Sequence, residues 1–114
     1  MNQWNATGRL TRDPEVRRTT QDSVVIANFS IAVYRDSDNT DFVDCVCFNR
    51  LAEYAEERLR KGFRVAVTGP IQIEDYTNKD GEKRRSVKCI VNRIEQFDFI
   101  EENSGYSGRK NYRR

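Results

Sequence analysis

The chain has 114 residues, 37% of them apolar and 33% charged, which indicates one domain with a single small core. Residues 1–102 carry 16 basic and 18 acidic side chains, a net charge of −2, and residues 103–114 add four basic ones to give the overall +2. Overall charge therefore excludes a generally basic nucleic-acid-binding domain, and any such binding must come from local patches and stacking.

Several other classes of protein find little support. No run approaches the ~18 apolar residues of a membrane span, and Met1 leads into no signal segment, which predicts a cytoplasmic protein. Cys45, Cys47 and Cys89 occur without any histidine, so core packing is favoured over a metal site or redox chemistry. We expect no cofactor, no metal and no catalysis, because there is no histidine base, Gly-rich phosphate loop or nucleophile elbow.

Three strands are predicted in the first half of the chain. Alternation of apolar and polar residues predicts a half-buried strand over 2–11 and a long strand over about 25–34. A break over 12–15 separates them. A polar loop over 35–40 then leads to a third strand over 41–48.

The third strand has two different faces, because successive side chains of a strand point to opposite sides. One face carries small apolar residues that suit a tight core, namely Val43, Cys45 and Cys47. The other face places Phe42 and Phe48, roughly 20 Å apart along the strand, beside the carboxylate of Asp44. These two rings are therefore not expected to be fully buried.

One helix and two more strands follow. The apolar period changes to about 3.6 after Phe48, which predicts a helix over about 50–61 with Asn49 as its N-cap. A fourth strand over 63–76 contains Pro70, which favours a bend or an edge there. A hairpin turn over 77–82 joins it to a fifth strand over about 83–100. We expect that last strand to be interrupted near Asn92 and Arg93.

This order of elements is that of an oligonucleotide-binding (OB) barrel. Such a barrel has five strands, usually with a helix between the third and fourth, and binds single strands on one open face and its loops. We therefore predict an all-β fold, a five-stranded OB barrel with one helix between strands 3 and 4, over residues 1–102. Residues 103–114 are predicted to form a short disordered basic tail.

Five motifs, taken together and in order, resemble the bacterial single-stranded DNA-binding proteins. They are Gly8–Arg17, Ala27–Val33, Asp41–Phe42, Leu51–Gly62 and Val67–Gly69. The similarity spans about Asn2 to Phe99. It implies a homotetramer that wraps single-stranded DNA, without catalysis, in replication, recombination or repair, and that is associated with the nucleoid.

The same resemblance implies which rings stack on bases. Phe42 and Phe48 fall on stacking positions of the family, Tyr76 falls on a third near the hairpin tip, and Tyr34 lies close to a fourth. Trp4 lies in the first strand, which in this family often contributes to subunit pairing.

Stacked bases also need cations that follow the phosphate backbone. One basic set lies within and on either side of the first break and comprises Arg9, Arg12, Arg17 and Arg18. A second set belongs to the hairpin and comprises Lys79, Lys83, Arg84, Arg85 and Lys88. We predict that both sets contribute to DNA binding.

Two departures from the family pattern bear on function. Glu74 and Asp75 stand where the family commonly has basic or neutral residues, and they should repel phosphate. The end of the chain, residues 110–114, is basic, whereas many members end in an acidic, Phe-terminated tip. Recruitment of replication or repair enzymes by such a tip is therefore not expected, and a plasmid, phage, mobile-element or truncated version is indicated. The alternative is an accessory protein-interaction module that binds nucleic acid weakly.

Overall fold

The computed structural model describes residues 1–101, which form eight strands and one helix. In chain order they are β1 Trp4–Leu10, β2 Glu15–Arg18, β3 Val25–Asp36, β4 Asn39–Phe48, α1 Arg50–Arg58, β5 Arg64–Gly69, β6 Ile71–Thr77, β7 Lys83–Ile90 and β8 Arg93–Gln96. The predicted mostly β class with one helix is confirmed. The described residues form eight strands where five were predicted, and the helix lies between the fourth and fifth of these eight.

Three local features account for the additional strands. Pro70 has no N–H to donate to a ladder, and it divides the predicted fourth strand into β5 and β6. The predicted fifth strand is interrupted where expected, because the Asn92 N–H turns to the carbonyl of Thr68 at 2.8 Å. The segment after the first break was not predicted as a strand, but it pairs with β3 as β2, with Val16 opposite Ala27.

The helix is shorter than predicted and begins differently. It ends at Arg58 because Leu59 is already extended, with φ −102° and ψ 142°, and packs in the core. Asn49 makes no side-chain cap. Its Oδ1 instead accepts the N–H of Val25 at 3.3 Å, which ties the start of α1 to β3. The side of the helix with Ala52 and Ala55 faces the core.

The strands form one sheet that folds back on itself. Their order is β6-β7-β4-β3-β1-β5-β8, with β2 beside β3. β5 pairs antiparallel with β8, with Thr68 opposite Arg93. β6 pairs antiparallel with β7, with Ile71 opposite Cys89. The two pairs are the halves of one long hairpin. In the first half, β5 also pairs with β1. In the second half, β7 also pairs in parallel with β4. A Cβ at Gly69, where the halves meet, would collide with the carbonyl oxygen of Ile90.

The core lies between the inner face of this sheet and α1. Its buried members include Leu10, Phe29, Ile31, Cys45, Cys47, Leu59, Val65, Val67, Cys89 and Val91. The three cysteines are free and buried, as predicted. Burial raises the pKa of the Cys47 thiol to about 12. Within residues 1–101, no helix has the length and apolar character needed to cross a membrane.

Candidate nucleic-acid interface

Three of the predicted rings lie on one side of the β3–β4 pair. Directly opposed residues of neighbouring strands point to the same face. Phe42 is opposite Ala32, Phe48 is opposite Ile26, and Tyr34 is opposite Thr40. In this register even-numbered residues pair with even-numbered ones, and all of these therefore point to one side. The odd-numbered residues, such as the opposed pair Phe29 and Cys45, point into the core. The side chains of Tyr34, Phe42 and Phe48 therefore share the outer face.

The fourth ring, Tyr76, lies on the same face through the β6–β7 hairpin. Asp44 of β4 is paired with Lys88 of β7, and Lys88 is paired with Gln72 of β6. Tyr76 is four residues beyond Gln72 on the same strand and thus points to the same side. We call the outer face of β3, β4, β6 and β7 the aromatic face.

All four rings on the aromatic face are exposed to solvent. The exposed fractions are 72% for Tyr34, 69% for Phe42, 41% for Phe48 and 52% for Tyr76, whereas Phe29 on the core side is only 3% exposed. The expectation that Phe42 and Phe48 are not fully buried is confirmed. Large exposed apolar groups that share one surface usually mark a binding site.

Two hairpins extend the aromatic face beyond the body of the sheet. β3 and β4 meet in a tight turn at Ser37 and Asp38, so the predicted loop over 35–40 is shorter than expected. This hairpin carries Tyr34 and Phe42, and the β6–β7 hairpin carries Tyr76. In the described chain the β4–β7 ladder covers Asp44 to Val46. Nearer their tips, the two hairpins are not paired with each other.

The predicted basic residues divide between the two sides of the sheet. On the aromatic face, Arg9 is opposite Ala32, Arg17 is opposite Ile26, Arg84 is opposite Tyr76 and Lys88 is opposite Asp44. Arg12 follows β1 and lines a depression of this face. The structure brings these five cations onto the side that carries the rings.

Four of the predicted basic residues lie elsewhere. Arg18 is opposite Val25 and points to α1, where it binds Glu56 at 2.6 Å. The hydrogen bond from Arg18 holds the pKa of the Glu56 carboxyl below its ordinary value. Lys83 and Arg85 point to the reverse side of the hairpin. Lys79 lies in the hairpin turn.

Several of the arginines are already paired with carboxylates. The pairs are Arg84–Glu82 at 2.7 Å, Arg85–Asp75 at 3.1 Å, Arg12–Glu15 at 3.7 Å and Arg9–Asp98 at 3.7 Å. These side chains are exposed, so each pair stabilises the fold by little and can exchange its carboxylate for a phosphate. Among residues 1–101, Arg17 and Lys88 form no ion pair on the aromatic face.

The two unusual acidic residues of β6 are not equivalent. Glu74 is opposite Ser86 and lies on the aromatic face, where it would repel phosphate. Asp75 is opposite Arg85 on the reverse side and is held by that arginine. Of the two carboxylates, therefore, only that of Glu74 would repel a DNA strand that passes Tyr76.

A polar depression between Phe42 and Phe48 was not predicted as a unit. It has a volume of about 240 Å³, and its polar lining residues are Arg12, Asn28, Ser30, Asp44, Ser86 and Lys88. Of these residues, only Arg12 and Lys88 were assigned a DNA-binding role from the sequence. The other residues could not be joined to them because the parallel pairing of β4 with β7 brings together segments that are distant in the chain. No cluster of three potential metal ligands occurs within the described part of the chain.

Comparison with known proteins adds an independent finding. A family model described as "Single-strand binding protein family" matches residues 1–97. The "Single-stranded DNA-binding protein" of Clostridium perfringens is 36% identical over 107 residues, which cover 92% of this chain and 69% of the relative. "Single-stranded DNA-binding protein 1" of Staphylococcus aureus strain Mu50 is 37% identical over 101 residues, covering 83% and 64%. That of Lactococcus lactis is 35% identical over 102 residues, covering 84% and 65%. The chain spans about two thirds of the length of these relatives.

Proposed function

The chain belongs to the single-strand binding protein family, and from this premise we propose that it binds single-stranded DNA without sequence-specific recognition. The observation that carries the proposal is the aromatic face with its four exposed rings. A stacked base contributes roughly 1–3 kcal/mol on an aromatic side chain, and every base can stack. The chain acts by binding and not as an enzyme.

We assign the contacts by the side of the sheet on which each residue lies. Phe42, Phe48, Tyr76 and Tyr34 stack on bases. Phosphates are contacted by four cations of the aromatic face, namely Arg9, Arg12, Arg17 and Arg84. Lys88, in the polar depression beside Asp44, also contacts the DNA strand. The remaining predicted cations, Arg18, Lys79, Lys83 and Arg85, contribute only where the strand passes around an edge of the sheet or over the hairpin.

The proposed architecture is the five-stranded OB barrel. It is supported by the long hairpin, in which β5–β6 and β7–β8 each count as one bent strand. Because β5 pairs with β1 and β7 pairs with β4, the hairpin connects these two strands across the sheet. With β1, β3 and β4 these two strands make five, and β2 is a short addition to β3. The helix α1 then lies between the third and fourth strands of the barrel.

The proposed assembly is a homotetramer. β1 pairs with β3 only at Arg9 and Leu10, and residues Trp4 to Gly8 pair only with β5. Within the described chain one edge of β1 is thus open, and an open edge can receive a strand from a second copy. Light scattering at micromolar concentration tests this, because a 13.4 kDa particle would contradict it.

The proposed cellular role is protection of single-stranded DNA during replication, recombination or repair, at the nucleoid. Family membership does not favour the alternative of an accessory protein-interaction module. The predicted tail, residues 103–114, lies outside the described residues. Its proposed contribution is sequence-independent attraction to phosphate, and recruitment of replication or repair enzymes through an acidic tip is not part of the proposal.

Fluorescence anisotropy with a labelled oligothymidylate of about 35 bases tests the proposed function, with a duplex of the same length as control. We expect binding to the single strand that weakens as salt rises, and much weaker binding to the duplex. Equal affinity for the two DNA forms, or none for either, would contradict the proposal.

A further inference from the structure

The polar depression of the aromatic face contains two opposite charges that form no salt bridge with each other. Asp44 and Lys88 are ladder partners on β4 and β7, so their backbones lie about 4.8 Å apart. Yet within residues 1–101 neither side chain forms a salt bridge. Both line the depression and are available to a ligand.

The position of the depression decides what reaches it. It lies between Phe42 and Phe48 on β4, the two rings proposed to stack on bases. Asn28, Ser30 and Ser86 add further hydrogen-bonding groups to its lining. A strand that stacks on both rings therefore passes directly over a polar recess.

The carboxylate of Asp44 favours a base over a phosphate in this recess. A phosphate there would be repelled by Asp44, although Lys88 and Arg12 would attract it. A base edge that has N–H donors beside an acceptor satisfies both charges. The two oxygens of a carboxylate can each accept one hydrogen bond from two adjacent donors. Among the four DNA bases, only guanine presents two adjacent N–H donors, N1–H and N2–H, followed by the acceptor O6.

We propose that this depression binds the Watson–Crick edge of guanine, with Asp44 accepting hydrogen bonds from N1–H and N2–H and Lys88 donating to O6. This inference rests on the proposed function, because stacking on Phe42 and Phe48 brings the strand into place. Stacking tolerates any base. The depression adds a preference at one position of an otherwise sequence-tolerant site.

The test compares the affinities of wild type for an oligothymidylate of about 15 bases and for the same strand with one central guanine. We expect the guanine strand to bind roughly fivefold or more tightly, the lower end of the discrimination that a bidentate contact provides. A third strand with hypoxanthine in place of guanine lacks the N2 amino group and should lose most of this preference.

Two variants separate hydrogen bonding from charge. Asp44→Asn loses the double acceptor and should bind the guanine and thymine strands equally. Glu74→Gln removes one carboxylate from the same face but outside the depression, and it should keep the preference. Near-native melting of both variants is expected because both side chains are exposed.

The outcomes distinguish this inference from the proposed function. If wild type binds the thymine strand but shows no preference for guanine, or if Asp44→Asn keeps the preference, the inference is wrong and the proposed function stands. If wild type binds none of the strands, both are wrong.

Discussion

At the scale of single residues, the rings of the aromatic face can be tested by separating binding from folding. Phe42→Ala and Phe48→Ala should each weaken single-stranded DNA binding by roughly 1–3 kcal/mol, because a base can no longer stack there. Their melting temperatures should change little, since both rings are exposed. Phe29→Ala is the matched control and should destabilise the fold by about 3–5 kcal/mol because Phe29 is buried.

Binding and melting are measured on the same preparations of all three variants. A large fall in melting temperature for Phe42→Ala, with unchanged affinity of the folded fraction, would contradict its proposed role.

Tyr76→Ala should resemble the phenylalanine variants but with a smaller effect, because Glu74 on the same face repels the phosphates beside it.

Two neighbouring arginines provide a second test at this scale. Arg17 lies on the aromatic face, whereas Arg18 lies on the other side and binds Glu56. Arg17→Ala should flatten the plot of log affinity against log salt by about 0.7, the slope that one neutralised phosphate contributes on a single strand. Arg18→Ala should leave that slope unchanged. Equal effects of the two substitutions on the slope would argue against the proposal that only cations on the aromatic face contact phosphate.

At the scale of elements, the junction of the long hairpin is the most constrained point. Gly69→Ala should destabilise the domain by about 1–3 kcal/mol, because the added Cβ meets the carbonyl oxygen of Ile90 and the backbones must separate. Pro70 and Val91 adjoin this point, so the destabilisation should propagate into the β5–β8 pairing. Thermal melting measures the change.

The control for this substitution is Gly81→Ala in the hairpin turn. A Cβ at Gly81 would have no neighbour within 4 Å, although its φ of 81° strains any other residue. It should cost about 1 kcal/mol and leave the junction intact. A Gly69→Ala variant that melts no lower than Gly81→Ala would contradict the close approach.

Individual elements show how far the sequence alone could predict the structure. Alternation along β4 correctly separated the cysteines from the rings, because a strand side chain has only two directions. Val46 was the exception. It is on the outer side of the strand by alternation, opposite Asn28 of β3, but only 5% of it is exposed.

What the sequence could not predict is register between distant segments. β2 has only four residues, too few for alternation to assign Arg17 and Arg18 to opposite sides. Asp44 and Lys88 are joined by a parallel ladder, and no local pattern specifies which residues of two parallel strands are paired. The polar depression follows from that pairing and could be recognised only in the folded chain.

At the scale of the whole molecule, the distribution of charge predicts a role for the end of the chain. Removing residues 103–114 removes four positive charges and no negative ones. The salt dependence of single-stranded DNA binding should become less steep, by about 0.7 for each phosphate that the tail no longer neutralises. The oligomer should persist, because the proposed assembly uses β1. An unchanged slope in salt titrations would show that the tail does not bind DNA.

The claim that single-stranded DNA lies on the aromatic face is tested most directly by fluorine NMR of the chain labelled with fluorophenylalanine. The sequence contains six phenylalanines, of which Phe42 and Phe48 lie on that face. Addition of oligothymidylate should shift these two resonances, each assigned by its Phe→Leu variant, and leave that of buried Phe29 nearly unchanged. Shifts confined to Phe97 and Phe99, with Phe42 and Phe48 unperturbed at saturating DNA, would contradict the claim.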